Sequence, residues 1–191
     1  MIGFFKGRNH EERIDIRDRF NWVDGIDKQR LDLSCQGFEE RLTEIKSVHQ
    51  FLKSEGGKRL IQLLHDDMIG KGFPEESTKI ELGLLSEIFS PETLNLMFFN
   101  PSNGLGNSFH QGAFNDTVKV DDSYSYLVVP KGLILVVGSS NTILPVITSI
   151  VLSYICGNVT VCQLSKLNGG VISKFIDGMP SRCSAYTHFT G

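Results

Sequence analysis

Asn141 closes the triplet Ser139-Ser140-Asn141, which sits inside a run from Gly132 to Ser165 that carries no Asp, Glu, Lys or Arg. A carboxamide at the end of an apolar stretch has two natural uses. It accepts from backbone N–H groups as a helix cap, or its amide points into a water-poor pocket and stabilises a developing oxyanion. The other reactive side chains are dispersed. Cys35, Cys156, Cys162 and Cys183 form no C-x-x-C pair and have no histidine cluster beside them, so free thiols are expected rather than a zinc site. Cys156 and Cys162 read as small core residues. Cys183 follows Arg182, whose charge could lower a thiol pKa. The histidines at 10, 49, 65, 110 and 188 are scattered, and Glu75-Glu76 reads as a solvated turn.

The surrounding pattern says what must hold Asn141. Leu133–Val137 is a continuous apolar, β-branched run, expected as a strand buried on both faces as in parallel sheets. Residues 142–156 read as a buried helix and Asn158–Gln163 as a second strand. The unit is β–turn–α–β, the start of a doubly wound sheet. Ligands in such sheets sit at the carboxyl ends of strands, here residues 138–141 and 164–166. Further on, Val171–Ile176 reads as a short helix and Ser184–Phe189 as a third strand.

Upstream, Phe38, Leu42, Ile45, Val48, Phe51 and Leu52 recur at helical spacing, with Glu55-Gly56-Gly57 as the expected stop. Leu60, Ile61, Leu63, Leu64 and Met68 give a second helix, ended by Gly70-Lys71-Gly72. Ser77 or Thr78 is the expected cap of a third, with Ile80, Leu84, Leu85 and Ile88 facing inward. Ser90-Pro91-Glu92 breaks or restarts it. Residues 100–111 read as a loop, and 117–120 and 124–129 as short strands. The expected divisions are an arm over 1–36, a helical region over 37–99, a loop with short strands over 100–129, and a partial dinucleotide-binding unit over 130–191.

Composition removes several classes of function. A net charge of −3 and the absence of a basic, aromatic-interleaved patch argue against nucleic acid. Residues 143–162 approach the roughly 20 residues of a membrane span. Pro145, Gly157 and Asn158 interrupt them, so no membrane insertion is expected. The first residues lack the apolar stretch of a secretory signal, and with free thiols a cytoplasmic protein is expected.

Four stretches, in order, resemble the aldehyde dehydrogenase superfamily, and within it the class 3 or fatty aldehyde dehydrogenase branch. They are ERLTEIKSVHQFLKSEGGKRLIQLLHDDMIGKGFPEESTKIELGLLSEI, PKGLILVVGSSN, CGNVTVCQLSK and NGGVISKFIDGMPSRCSAYTHFTG. The resemblance implies an α/β fold: N-terminal helices, then a partial doubly wound, Rossmann-like parallel sheet from the family's cofactor domain. It implies NAD or NADP as cofactor and oxidation of an aldehyde, apolar or fatty, to a carboxylate. It implies an oxyanion role for Asn141, and a cofactor crevice lined by Gly138, Ser139, Gln163, Ser165, Lys166 and Gly191. A homodimer is implied too, because class 3 relatives are dimers.

Departures from the family pattern are specific. Gln163 stands at the family's ribose-binding Lys position and Lys166 at its Glu position, a change that tolerates a 2′-phosphate and leans towards NADP. Only Leu167 separates QLSK from NGGV, where the family has a helix and most of a strand. A sheet missing that crossover must rewire or leave an edge unpaired. No cysteine sits in the family's Gly-Gln-x-Cys setting, so a product ending at Gly191 is expected to lack dehydrogenase activity. Two other readings stand beside this one. The first is an acyl-CoA or acyl-protein reductase of the same superfamily, which the shorter Asn141-to-Asn158 spacing suits. The second is a non-catalytic relic or interaction module.

Overall fold

The computed structural model describes residues 16–99, 117–119, 125–127 and 129–190. Its centre is a three-stranded parallel sheet in the order β3-β4-β5, formed by Leu133–Val137, Val159–Gln163 and Thr187–Thr190. In register, Leu135 faces Val161 and Val161 faces His188. Helix α6 (Leu144–Ile155) connects β3 to β4, and helix α7 (Gly169–Gly178) with a 3-10 turn at Arg182–Tyr186 connects β4 to β5. The short link at Leu167 therefore does not remove a crossover. The chain rewires: α7 itself becomes the crossover, and β5 lies directly beside β4. This is a partial Rossmann-like α/β unit. A separate antiparallel pair, β1 (Thr117–Lys119) and β2 (Ser125–Leu127), precedes it.

Helix α6 is buried almost all round. Val146, Ile147, Ile150, Val151, Tyr154 and Ile155 are all inaccessible, as expected of a helix between two layers. One side meets β3 and β4, and the other meets α2 (Phe38–Lys53) and α4 (Glu75–Ile88). Helix α7 packs on α3 (Glu55–Gly70), and its Phe175 ring stacks at 5.8 Å on Phe89, which closes α4. Helix α5 (Pro91–Phe99) completes the helical layer. The Ser90 hydroxyl accepts from Thr93 N–H, so Ser90-Pro91-Glu92 restarts a helix.

The opposite face of the sheet is covered by α1 (Ile16–Ser34), within the segment read as an arm. Ile26 and Leu33 are buried. The Gln29 side chain donates to Ala185 O at 2.9 Å, and its oxygen lies 2.6 Å from His188 Nε2. Arg41, 1% exposed, joins the layers. Its guanidinium donates to Leu33 O and Gln36 O at the end of α1 and to Ile155 O at the end of α6. A cation there answers the negative ends of two helices, whose last carbonyls lack the full set of intrahelical donors. The turn after α6 needs Gly157, whose φ is +77°, and a Cβ there would lie 3.1 Å from Arg41 Nη2.

Four expectations are corrected. Glu55-Gly56-Gly57 does not follow a helix end as a stop; it forms the first turn of α3, capped by Ser54 Oγ accepting from Gly57 N–H. Ser77 and Thr78 do not cap α4, because Pro74 holds that position and Thr78 lies buried inside the helix. Ile80 and Leu84 face outward, 62% and 44% exposed, while Thr78, Leu82 and Leu85 face the core. Both sets recur at helical spacing, and the positions of the helices packed on α4, namely α2, α3, α5 and α6, decide between them. Finally, β3 is buried on one face only. Leu135 and Val137 are 64% and 68% exposed because α1 covers β4 and stops short of β3.

Candidate functional site

Both βα turns open at the carboxyl end of the sheet. Gly138 N–H donates to Gln163 O at 2.8 Å and carries the ladder one residue past β3. A Cβ at Gly138 would lie 3.1 Å from both Leu164 Cδ2 and Val146 Cγ2, so glycine lets the turn lie against β4 and α6. Ser139, Ser140 and Asn141 then emerge into solvent. Asn141 does not cap α6. The cap position is Ile143, which has no side-chain cap bond, and its N–H donates to Glu81 Oε2 of α4 at 2.8 Å. Of the two uses of a carboxamide here, the helix cap is therefore not taken, and the Asn141 amide stands exposed at the strand end.

At the end of the neighbouring strand β4, Gln163 and Lys166 are exposed and Ser165 is half-buried. Asn168 joins the two sides. It is fully buried, and its amide donates to Ser139 O and, at 3.1 Å, to Thr142 O. Its oxygen accepts from Ser165 Oγ at 2.9 Å. The polar atoms of this carboxamide are thereby paired in a dry setting, where an unpaired one is costly. The structure thus brings together Gly138, Ser139, Asn141, Gln163, Ser165 and Lys166 around the ends of β3 and β4. Gly191 lies outside the described residues.

Asn168 and Glu81 are the residues that sequence reasoning missed. Asn168 had a local signal, an Asn before Gly-Gly at a helix start, but that signal points to its own helix. Glu81 had none, since its partner lies 62 residues away.

Three of the four thiols, Cys156, Cys162 and Cys183, lie in settings that disfavour the thiolate, while Cys35 is exposed. Burial pushes Cys156 up to about 11 and Cys162 up to about 12. Cys183 is fully buried and also pushed up to about 12 by burial, against the expectation that Arg182 lowers it. Arg182 is engaged elsewhere, 2.7 Å from Glu40 and 2.5 Å from Glu44. Glu44 also accepts from Tyr154 Oη at 2.6 Å. Burial raises the Glu44 pKa, but the bonds from Tyr154 and Arg182 outweigh it and hold the group below its usual value. The described histidines serve structure as well. His49 Nδ1 donates to Ser86 O and His65 pairs with Asp66. His10 and His110 lie outside the described residues.

The sequence matches no protein-family model and no curated protein. The fold is similar to that of a salicylaldehyde dehydrogenase from Pseudomonas putida G7, solved in complex with salicylaldehyde, with a TM-score of 0.59 and 15% identity. The match covers 91% of this chain and 33% of that one, so the chain spans about a third of its length. At this identity the likeness establishes the fold alone, a partial Rossmann-like α/β unit beneath a helical layer.

Proposed function

We propose that the chain is the cofactor-facing, amino-terminal portion of an NAD(P)-dependent aldehyde oxidoreductase, of the class 3 or fatty aldehyde kind. The observation that carries this reading is the parallel β3-α6-β4 unit with its two turns meeting at the strand ends, within an aldehyde dehydrogenase-like fold. Residues 130–191 supply the crevice, and 37–99 form the helical layer that fixes α6. Asn141 is the amide donor to the oxyanion that forms when a nucleophile adds to an aldehyde carbon. One such donor is worth about 10²–10³ in rate. Lys166, in place of a carboxylate, favours NADP through its 2′-phosphate. Four free cysteines fit a cytoplasmic setting.

On this reading the 191 residues alone do not turn over aldehyde, because burial holds Cys156, Cys162 and Cys183 in the thiol form and the exposed Cys35 lies away from the 138–142 turn in sequence, in no Gly-Gln-x-Cys setting. A medium-chain aldehyde with NAD or NADP is therefore expected to give no absorbance of reduced cofactor with the purified chain. Steady production of NADPH would refute the assignment of roles. A non-catalytic module is the second reading, and the Asn168 bridge favours it, because it already fills the space between the two turns.

A further inference from the structure

Helix α6 starts just past the carboxyl end of β3, where the N-terminus of a helix after a parallel strand ordinarily receives an anionic group of a ligand. Here the position is taken. Ile143 N–H donates to Glu81 Oε2 at 2.8 Å, and Pro145, in the first turn, has no N–H to offer. Glu81 is half-buried and forms no ion pair among the described residues. Among the described residues its hydrogen-bond donor is the Ile143 N–H at the helix end.

We propose that Glu81 is a built-in anion that keeps phosphate and carboxylate groups away from the 139–142 turn, and so determines which part of a ligand meets that turn. A second negative charge there is repelled by Glu81 and finds the Ile143 donor occupied. The turn instead accepts a neutral, hydrogen-bonding group such as a carboxamide or a sugar hydroxyl, with Ser139, Ser140 and Asn141 as its exposed polar side chains. A ligand's phosphates are held elsewhere in the crevice. As a statement about a dinucleotide this rests on the function proposed above. As a statement about anions at α6 it does not.

The test follows the backbone amides of Ile143 and Leu144 by NMR while inorganic pyrophosphate is added. It compares the unmodified chain, Glu81→Gln, Glu81→Ala, and Glu87→Gln as a control for net charge. Gln retains an acceptor for Ile143 N–H, so that variant keeps the cap even if the alanine variant folds poorly. Removal of the charge should lower the pyrophosphate concentration needed to shift these amides by about tenfold or more, from helix-end and charge–charge effects. Glu87→Gln should match the unmodified chain. Equal titrations of the unmodified chain and Glu81→Gln, or no response in either, would overturn the proposal. A parallel titration with NADPH separates the two claims. If NADPH binds neither protein while pyrophosphate distinguishes them, the dinucleotide reading fails and the role of Glu81 stands.

Discussion

Arg41 and Thr78 show how differently two buried polar side chains affect stability. Arg41 is satisfied on all sides by carbonyls from two helix ends. Replacing it with Met takes the side-chain donor from Gln36 O and Ile155 O and leaves Leu33 O only its bond from Gln36 N–H, and a loss of about 3 kcal/mol is expected, since charged hydrogen bonds are the stronger class. Urea denaturation of Arg41→Met measures it, and a loss below 1 kcal/mol would speak against this role. Thr78 is the opposite case. It is fully buried, and its hydroxyl finds no partner among the described residues. Thr78→Val keeps the shape and removes that cost, so a gain of about 1 kcal/mol is expected in the same assay. Asn141 belongs to neither class. It is exposed and does not cap α6, so Asn141→Ala should leave stability unchanged within about 0.5 kcal/mol. A larger loss would mean that the amide is structural.

Element by element, the helices were the legible part of the sequence. The Phe38–Leu52 face and the β3-α6-β4 unit follow from period and apolar runs, because each buries a continuous stripe. Less legible was anything decided by a neighbour distant in sequence. The inward face of α4 depends on the helices packed on it, and the exposed face of β3 depends on where α1 ends. Of the site, residues 138–141 and 163–166 follow from the rule that ligands sit at the carboxyl ends of parallel strands. Asn168 and Glu81 do not, because each acts on a segment remote from its own.

The docking of α1 gives a pH-dependent test. Burial lowers the His188 pKa from its ordinary 6.5. Above 6.5 the imidazole is neutral in both folded and unfolded chains. As pH falls from there, the unfolded chain takes up a proton that the folded chain resists, and stability declines until the lower folded value is passed. His188→Gln should flatten thermal stability over that window. The Glu44 clamp acts lower down. Its depressed pKa means that its contribution is present above 4.5 and is lost as pH falls through the folded value. If His188→Gln keeps the full slope below 6.5, another group governs the decline.

At the scale of the whole molecule, the uncharged run from Gly132 to Ser165 is used as a β-strand, a turn, a 12-residue helix and a second strand. Among the described residues, no helix is long and apolar enough to cross a membrane. The short link after β4 is absorbed by rewiring, with α7 as the crossover and β5 added beside β4. Two adjacent strand ends then carry exposed polar side chains, Ser139, Ser140 and Asn141 after β3 and Gln163 at the end of β4. The most direct test of a dinucleotide-facing crevice is titration of the purified chain with NADPH and NADH, followed by amide hydrogen exchange. The account predicts tighter binding of NADPH than of NADH, with protection confined to residues 138–142 and 163–168. Absence of binding, or protection only elsewhere in the chain, would contradict it.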